Sequence, residues 1–212
     1  MSDVPGSAEI PRAAKVQVLR LAALPAMAWK NGGGTTVEYA VFPAGARLAE
    51  FDWRVSRARV EAAGPFSIFP GVDRTLAVVD GAGIDLVFAD RVARAGPTTT
   101  PLPFPADVAV DGRPIAGPIE DLNVMTRRGR WRHRVDRMAI GAAVGLTLDG
   151  DVSFVVAAGA VRVVFADGAD FDLGPGDALR IEGVADPVVA ALGRSADILL
   201  VRLDRTDGSV RR

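Results

Sequence analysis

Short runs of alternating apolar and polar residues, broken by glycine, proline and Asp-Gly pairs, cover most of the chain. In T-V-E-Y-A-V-F, Val37, Tyr39 and Val41 fall on one face of an extended segment, and Thr36, Glu38 and Ala40 on the other. F-D-W-R-V-S-R-A repeats the pattern, with Phe51, Trp53 and Val55 opposed to Asp52, Arg54 and Ser56. The P-A-G-A between them is a turn signal. Upstream, Val16, Val18 and residues 19–24 read as a strand leading to Pro25. Downstream, residues 76–79 form a buried strand closed by an Asp80-Gly81 turn, and residues 84–89 form another. Residues 95–106 carry too much proline for a helix or a central strand, and Asp111-Gly112 marks a further turn.

From Met138 onward the pattern is cleaner. A-I-G-A-A-V-G-L-T-L, D-V-S-F-V-V-A-A, A-V-R-V-V-F-A, D-A-L-R-I-E-G, V-A-D-P-V-V-A-A-L-G and A-D-I-L-L-V-R-L are short strands. Asp149-Gly150, Asp167-Gly168 and Gly174-Pro175-Gly176-Asp177 separate them. No segment carries an apolar stripe of helical period across three turns. The chain therefore reads as all-β, a sandwich or barrel of many short strands. Residues 1–13 are polar, contain Pro5 and Pro11, and read as a loose tail.

One stretch departs from this punctuation. W-K-N-G-G-G-T-T-V-E, residues 29–38, sets three glycines beside Lys30, Asn31, Thr35 and Thr36. Without Cβ atoms the backbone can take positive φ and approach another group closely. Two readings stay open here: a corner of N–H groups, ammonium and amide that holds an anion, or a tight turn into a strand. A nucleotide loop is excluded. No lysine follows at the spacing of a phosphate-binding loop, and Val37 stands where a dinucleotide fingerprint needs its third glycine.

Composition narrows the classes. With 49% hydrophobic residues and a net charge of −1, the chain describes a globular protein without a polyanion-binding face, so nucleic acid is not expected as a partner. No apolar run approaches the roughly 18 residues of a membrane span, so no membrane partner is expected. The opening M-S-D-V-P-G-S-A-E-I lacks the features of a signal peptide, and a cytoplasmic address follows as an expectation. There is no cysteine and one histidine, His133, so a zinc centre with several His or Cys ligands cannot be built. His133 lies in R-G-R-W-R-H-R-V, a cationic run that disfavours its protonated form and suits a surface or interface residue better than a catalytic triad.

Polar candidates remain along the chain. Glu38 and Arg54 share a face if their strands are neighbours. Exposed, such a pair contributes about 0.2–1 kcal/mol; inside a barrel mouth it becomes a polar floor that orients a ligand. Asp73 and Arg74 stand at a strand entrance, as a turn-locking pair or as site residues. Asp121, Asn123 and Arg127, in E-D-L-N-V-M-T-R, are candidates to face whatever the glycine corner faces. The five arginines of residues 127–134 read as a solvated edge strand.

L-G-P-G-D-A-L-R-I resembles the second cupin motif, in which a P-x-G turn enters a strand, but without the histidine of metal cupins. W-K-N-G-G-G-T-T-V-E, F-D-W-R-V-S, G-P-F-S-I-F-P-G-V-D-R and D-L-N-V-M-T-R-R-G, in that order between Trp29 and Gly129, together resemble the HutD/Ves family. The resemblance implies a bicupin: two jelly-roll halves, residues 14–130 with the site and residues 131–206. It carries over Trp29, Lys30, Asn31, Thr36, Glu38, Arg54, Ser56, Phe69, Asp73, Arg74, Asp121, Asn123 and Arg127 as ligand-binding positions, with no metal and no cofactor. It implies a protein that binds a small acidic intermediate of histidine breakdown, such as formylglutamate, and so moderates histidine utilisation.

In that reading Lys30 and Arg54 take carboxylates, and Asn31, Ser56 and Asn123 bond an amide or formyl group. Glu38 and Asp73 steady the cations while Phe69 and Trp29 exclude water. The alternative is a metal-independent isomerase or hydrolase of a small acid with Glu38 as general base. A third reading makes Trp131 and the arginine run an interface, with a second copy of the chain as partner.

Overall fold

The computed structural model describes residues 14–206. Nineteen strands and one 3-10 turn (Leu21–Ala23) make up its regular structure. The loose tail expected for residues 1–13 lies outside the described residues.

The first strands are β1 (Lys15–Leu19), β2 (Ala26–Ala28), β3 (Gly34–Phe42), β4 (Trp53–Val60), β5 (Gly64–Pro65) and β6 (Val72–Asp80). There follow β7 (Ile84–Val87), β8 (Val92–Ala95), β9 (Leu102–Pro105), β10 (Asp111–Pro114), β11 (Ile119–Arg127) and β12 (Trp131–Ile140). The last are β13 (Val144–Gly145), β14 (Val152–Ala157), β15 (Val161–Val164), β16 (Asp170–Leu173), β17 (Ala178–Glu182), β18 (Val188–Ala191) and β19 (Ala196–Arg205).

They form four sheets: β2-β3-β4-β11-β6-β9, β5-β10-β7-β8, β1-β17-β14-β19-β12 and β13-β18-β15-β16. All four are open, not closed barrels. Two exposed edges carry their own protection: β9 has Pro103 and Pro105, which lack N–H donors, and β12 carries Arg132 and Arg134. This is the solvated arginine edge expected from the sequence.

Three apolar cores stack the sheets. Val60, Leu76, Val78, Ile84, Leu86 and Ile119 join the six-stranded sheet to the first four-stranded one, making a cup. On the other face of the six-stranded sheet, Tyr39, Trp53, Val55, Leu122 and Val124 meet Trp131, Phe154, Leu199, Val201 and Leu203 of the five-stranded sheet. Each such side chain contributes about 1.5–3 kcal/mol on burial. The five-stranded sheet packs in turn on the second four-stranded one through Ile140, Val155, Leu179, Ile181, Ile198 and Leu200.

Several elements differ from their sequence pattern. The strand expected through residue 24 ends at Leu19, and β1 pairs not with its neighbours in sequence but with β17, Val16 opposite Ile181. Asp111-Gly112 is not a turn: both residues sit in β10, between β5 and β7, where Gly112 makes room for the Phe66 ring. A bulge at Tyr39 breaks the alternation of β3, since Glu38 faces Ser56 and Ala40 already faces Val55. Val41 therefore joins the cup side with Arg54, while Tyr39 enters the inter-sheet core. Phe51, one residue outside the strand start, also turns to the cup side, with Val72 and Met125.

Candidate functional site

The cup face of the six-stranded sheet is read by register. One row across β3, β4, β11 and β6 is Glu38, Ser56, Asn123 and Leu76; the row before it is Thr36, Ala58, Asp121 and Val78. The row after it is Val41, Arg54, Met125 and Arg74. Period-two alternation on three long central strands thus gathers two guanidiniums, two carboxyls, an amide and two hydroxyls on one floor.

The floor is shielded from water. Arg54, Ser56, Arg74, Asp121 and Asn123 are all buried, Asp121 completely. Arg54 Nε donates to Glu38 Oε2 at 2.6 Å. Arg74 has a different environment: its guanidinium lies over the rings of Phe66, Phe69 and Phe104 at 5.3, 5.5 and 5.9 Å, and its Nη2 is 3.4 Å from Met125 Sδ. Burial pulls Arg74 down to about 10, against the charge of Asp121 and helped by Arg54, so it is cationic at neutral pH. Asn123 Nδ2 donates to Asp121 Oδ1. Three buried polar atoms of this group have no partner: Arg74 Nε, Asp121 Oδ2 and Asn123 Oδ1. Each such atom costs about 1–3 kcal/mol unless something enters to satisfy it.

Trp29 closes one side, packing on the cup core while its Nε1 donates to Thr36 Oγ1 at 2.8 Å. Thus Trp29, Thr36, Glu38, Arg54, Ser56, Phe69, Arg74, Asp121 and Asn123 converge. Lys30, Asn31, Asp73 and Arg127 stand apart from this group. Lys30 and Asn31 are exposed on the hairpin between β2 and β3. The glycine corner there takes the turn form: Gly32 N–H donates to the Trp29 carbonyl and Gly33 N–H to Asn31 Oδ1, leaving those amides engaged. Gly32 has φ +71°, and a Cβ on Gly34 would collide with the Arg59 carbonyl.

Asp73 pairs with Arg128 at 2.8 Å. Arg127 donates to the carbonyls of Phe51 (3.1 Å) and Ala49 (3.0 Å), clamping the loop before β4. Phe66, Phe104 and Met125, which complete the surroundings of Arg74, carry no signal in the sequence. F-S-I-F and P-F-P are apolar without being periodic, and only the cage geometry gives them a role.

His133 is an interface residue inside the molecule. It bridges the two central sheets, Nε2 2.8 Å from Thr75 Oγ1 and Nδ1 2.7 Å from Thr126 Oγ1, and burial pushes it down to about 4. Open clefts of about 360 and about 450 Å³ run beside β12, but neither is lined by Arg54, Ser56, Asp121 or Asn123. Their walls carry His133 with both nitrogens engaged, Thr98, Thr99 and Arg137, so unmet bonding capacity points to the cup instead.

The donor set does not fit a metal ion. Two guanidiniums share the floor, one of the two carboxyls is bound to Arg54, and among the described residues no three His, Cys, Asp or Glu side chains converge. The arrangement suits an anion with hydrogen-bonding groups. No described helix is long and apolar enough to cross a membrane.

An all-β cup with a cationic, amide-bearing floor is thus the class that fold and site define. The model of the HutD family matches residues 21–199, and the chain belongs to that family. It is 32% identical over 169 residues to an uncharacterized 21.2 kDa protein in the hutC 3' region of Pseudomonas putida, covering 80% of this chain and 88% of that one. It is 34% identical over 134 residues to Protein Ves of Citrobacter koseri, 63% of this chain and 69% of the relative. The crystal structure of HutD from Pseudomonas fluorescens SBW25 superposes with a TM-score of 0.76 at 28% identity, over 90% of this chain and 99% of that one. Oxalate decarboxylase of Bacillus subtilis, at 11% identity and TM-score 0.62 over 94% of this chain and 78% of that one, shares the cupin fold alone.

Proposed function

We propose that the cup binds a small acidic metabolite, a histidine-degradation intermediate such as formylglutamate, and that the protein thereby moderates histidine utilisation. The observation that carries this reading is the buried cation Arg74, caged by three phenylalanines beside two orphaned acceptors, Asp121 Oδ2 and Asn123 Oδ1. A buried cation without an ion-pair partner is costly, and a ligand carboxylate removes the cost. Arg54, oriented through its Nε by Glu38, offers its terminal nitrogens to a second carboxylate. Asn123 Oδ1 accepts an amide N–H, and Ser56 Oγ bonds the formyl oxygen. The position of the Pseudomonas putida relative in the hutC 3' region and the name of the HutD structure support the metabolic setting. The four-layer stack reads, in the same proposal, as two cupin halves packed back to back. The apolar filling between the last two sheets leaves ligand binding to the first cup.

Thermal denaturation with N-formyl-L-glutamate and with glutarate tests this. Binding to the native state raises the melting temperature of wild type by linkage, and Arg54→Ala abolishes the rise. An undiminished rise in that variant removes Arg54 from the site; no rise in wild type removes the reading.

A further inference from the structure

Asp121 is the least solvated charged side chain of the floor, and its bonding is incomplete. One oxygen takes the Asn123 amide, the other has no partner, and no cation among the described residues pairs with it directly. A carboxylate in that position holds charge that neither water nor a counterion compensates, whereas the acid form lacks only an acceptor for its O–H. A bound carboxylate is such an acceptor.

We infer that Asp121 is protonated when the acid is bound and donates its O–H to a ligand oxygen, so that the cup takes up a proton together with the anion. This rests on the function proposed above. The proton comes from solvent, Asp121 passes from carboxylate to carboxylic acid, and no bond of the ligand breaks.

The surroundings support the coupling. Facing Asp121 are Arg74 from β6 and, from the reverse of the sheet, Arg57 of β4 and Glu120 of its own strand. Arg54, with Glu38 of β3 bound to it, acts on Arg74. The covering sheet contributes Ile84 and Leu86, which are apolar. Burial raises Asp121 to about 7, against the pull of Arg74 and the Asn123 bond. A ligand carboxylate on Arg74 cancels the main field that favours ionisation, so the bound complex holds the proton more tightly. His133, lowered to about 4, does not titrate in this range.

Calorimetric titration of N-formyl-L-glutamate into the full chain decides it, because the probe's own carboxyls titrate near about 4. Between about pH 6 and about pH 8.5 wild-type affinity falls by up to about tenfold per unit, and the binding heat in two buffers of different ionisation enthalpy reports proton uptake. Asp121→Asn, which keeps the shape and an N–H donor, binds with a flat pH profile. Affinity independent of pH with buffer-independent heat, or an Asp121→Asn variant that keeps the slope, overturns the inference while leaving the binding function standing. No binding at about pH 6 overturns both. If Asp121→Asn does not fold, the two-buffer heats of wild type alone decide between proton uptake and none.

Discussion

Arg54 and Glu38 meet diagonally across β3 and β4, Nε to Oε2 at 2.6 Å, with the arginine side chain 8% exposed and the glutamate 30%. Glu38 thereby fixes the guanidinium from one side and leaves its terminal nitrogens toward the cup. Glu38→Gln keeps the size and removes the charge, so Arg54 loses its counterion. The expected outcomes are a stability loss of about 1–3 kcal/mol in urea titration and a weaker ligand-induced melting shift. If the protein were instead an enzyme with Glu38 as general base, turnover of a small acid in EDTA would vanish in this variant while binding stayed intact.

Arg74→Met should separate stability from ligand binding. The flexible thioether fills the phenylalanine cage, and a buried cation without an ion pair disappears with it. Stability stays within about 1 kcal/mol of wild type, in contrast to the roughly 3–5 kcal/mol lost when a buried pair is broken. The melting response to N-formyl-L-glutamate is lost. Measuring both on one preparation distinguishes a ligand cation from a structural one.

His133 and Asp121 put opposite slopes on the acid side of the stability curve. His133 falls from 6.5 to about 4, so between those values the unfolded chain binds more protons and stability drops as pH falls. Asp121 rises from 3.8 to about 7, so there the folded chain binds more protons and stability drops as pH rises. His133→Gln removes the first slope and Asp121→Asn the second. Urea midpoints across about pH 4–7 should therefore tilt in opposite directions in the two variants.

Gly34→Ala should destabilise by about 1–3 kcal/mol, because its Cβ meets the Arg59 carbonyl, a backbone atom that cannot swing aside. Gly33→Ala, whose Cβ meets only the Asn31 side chain at 3.4–3.7 Å, is the milder control in the same denaturant experiment.

The central strands are the legible part of the sequence. Alternation in residues 53–56 puts Arg54 and Ser56 on one face, and E-D-L-N does the same for Asp121 and Asn123, because a side-chain period of two survives in long, doubly paired strands. The bulge at Tyr39 is not legible, since it adds a residue without changing composition, and it moves Val41 to the cup side. Lys30 looks like part of an anion corner because local sequence shows which donors are near one another, not which are already engaged. Arg127 shows the same limit: its partners are the carbonyls of Phe51 and Ala49, 76 and 78 positions away along the chain. Pairing of β1 with β17 likewise leaves no local trace.

That pairing has a practical result. Because β1 runs along the border of a sheet otherwise built from residues 131–205, it works as a clasp fastened from the opposite end of the molecule. A fragment starting beyond Leu19 would leave the backbone groups of Ala178–Glu182 bare, ready to recruit a strand from a stranger. The protein is thus unsuited to being cut into separately expressed pieces, and truncation from its beginning should show first as aggregation.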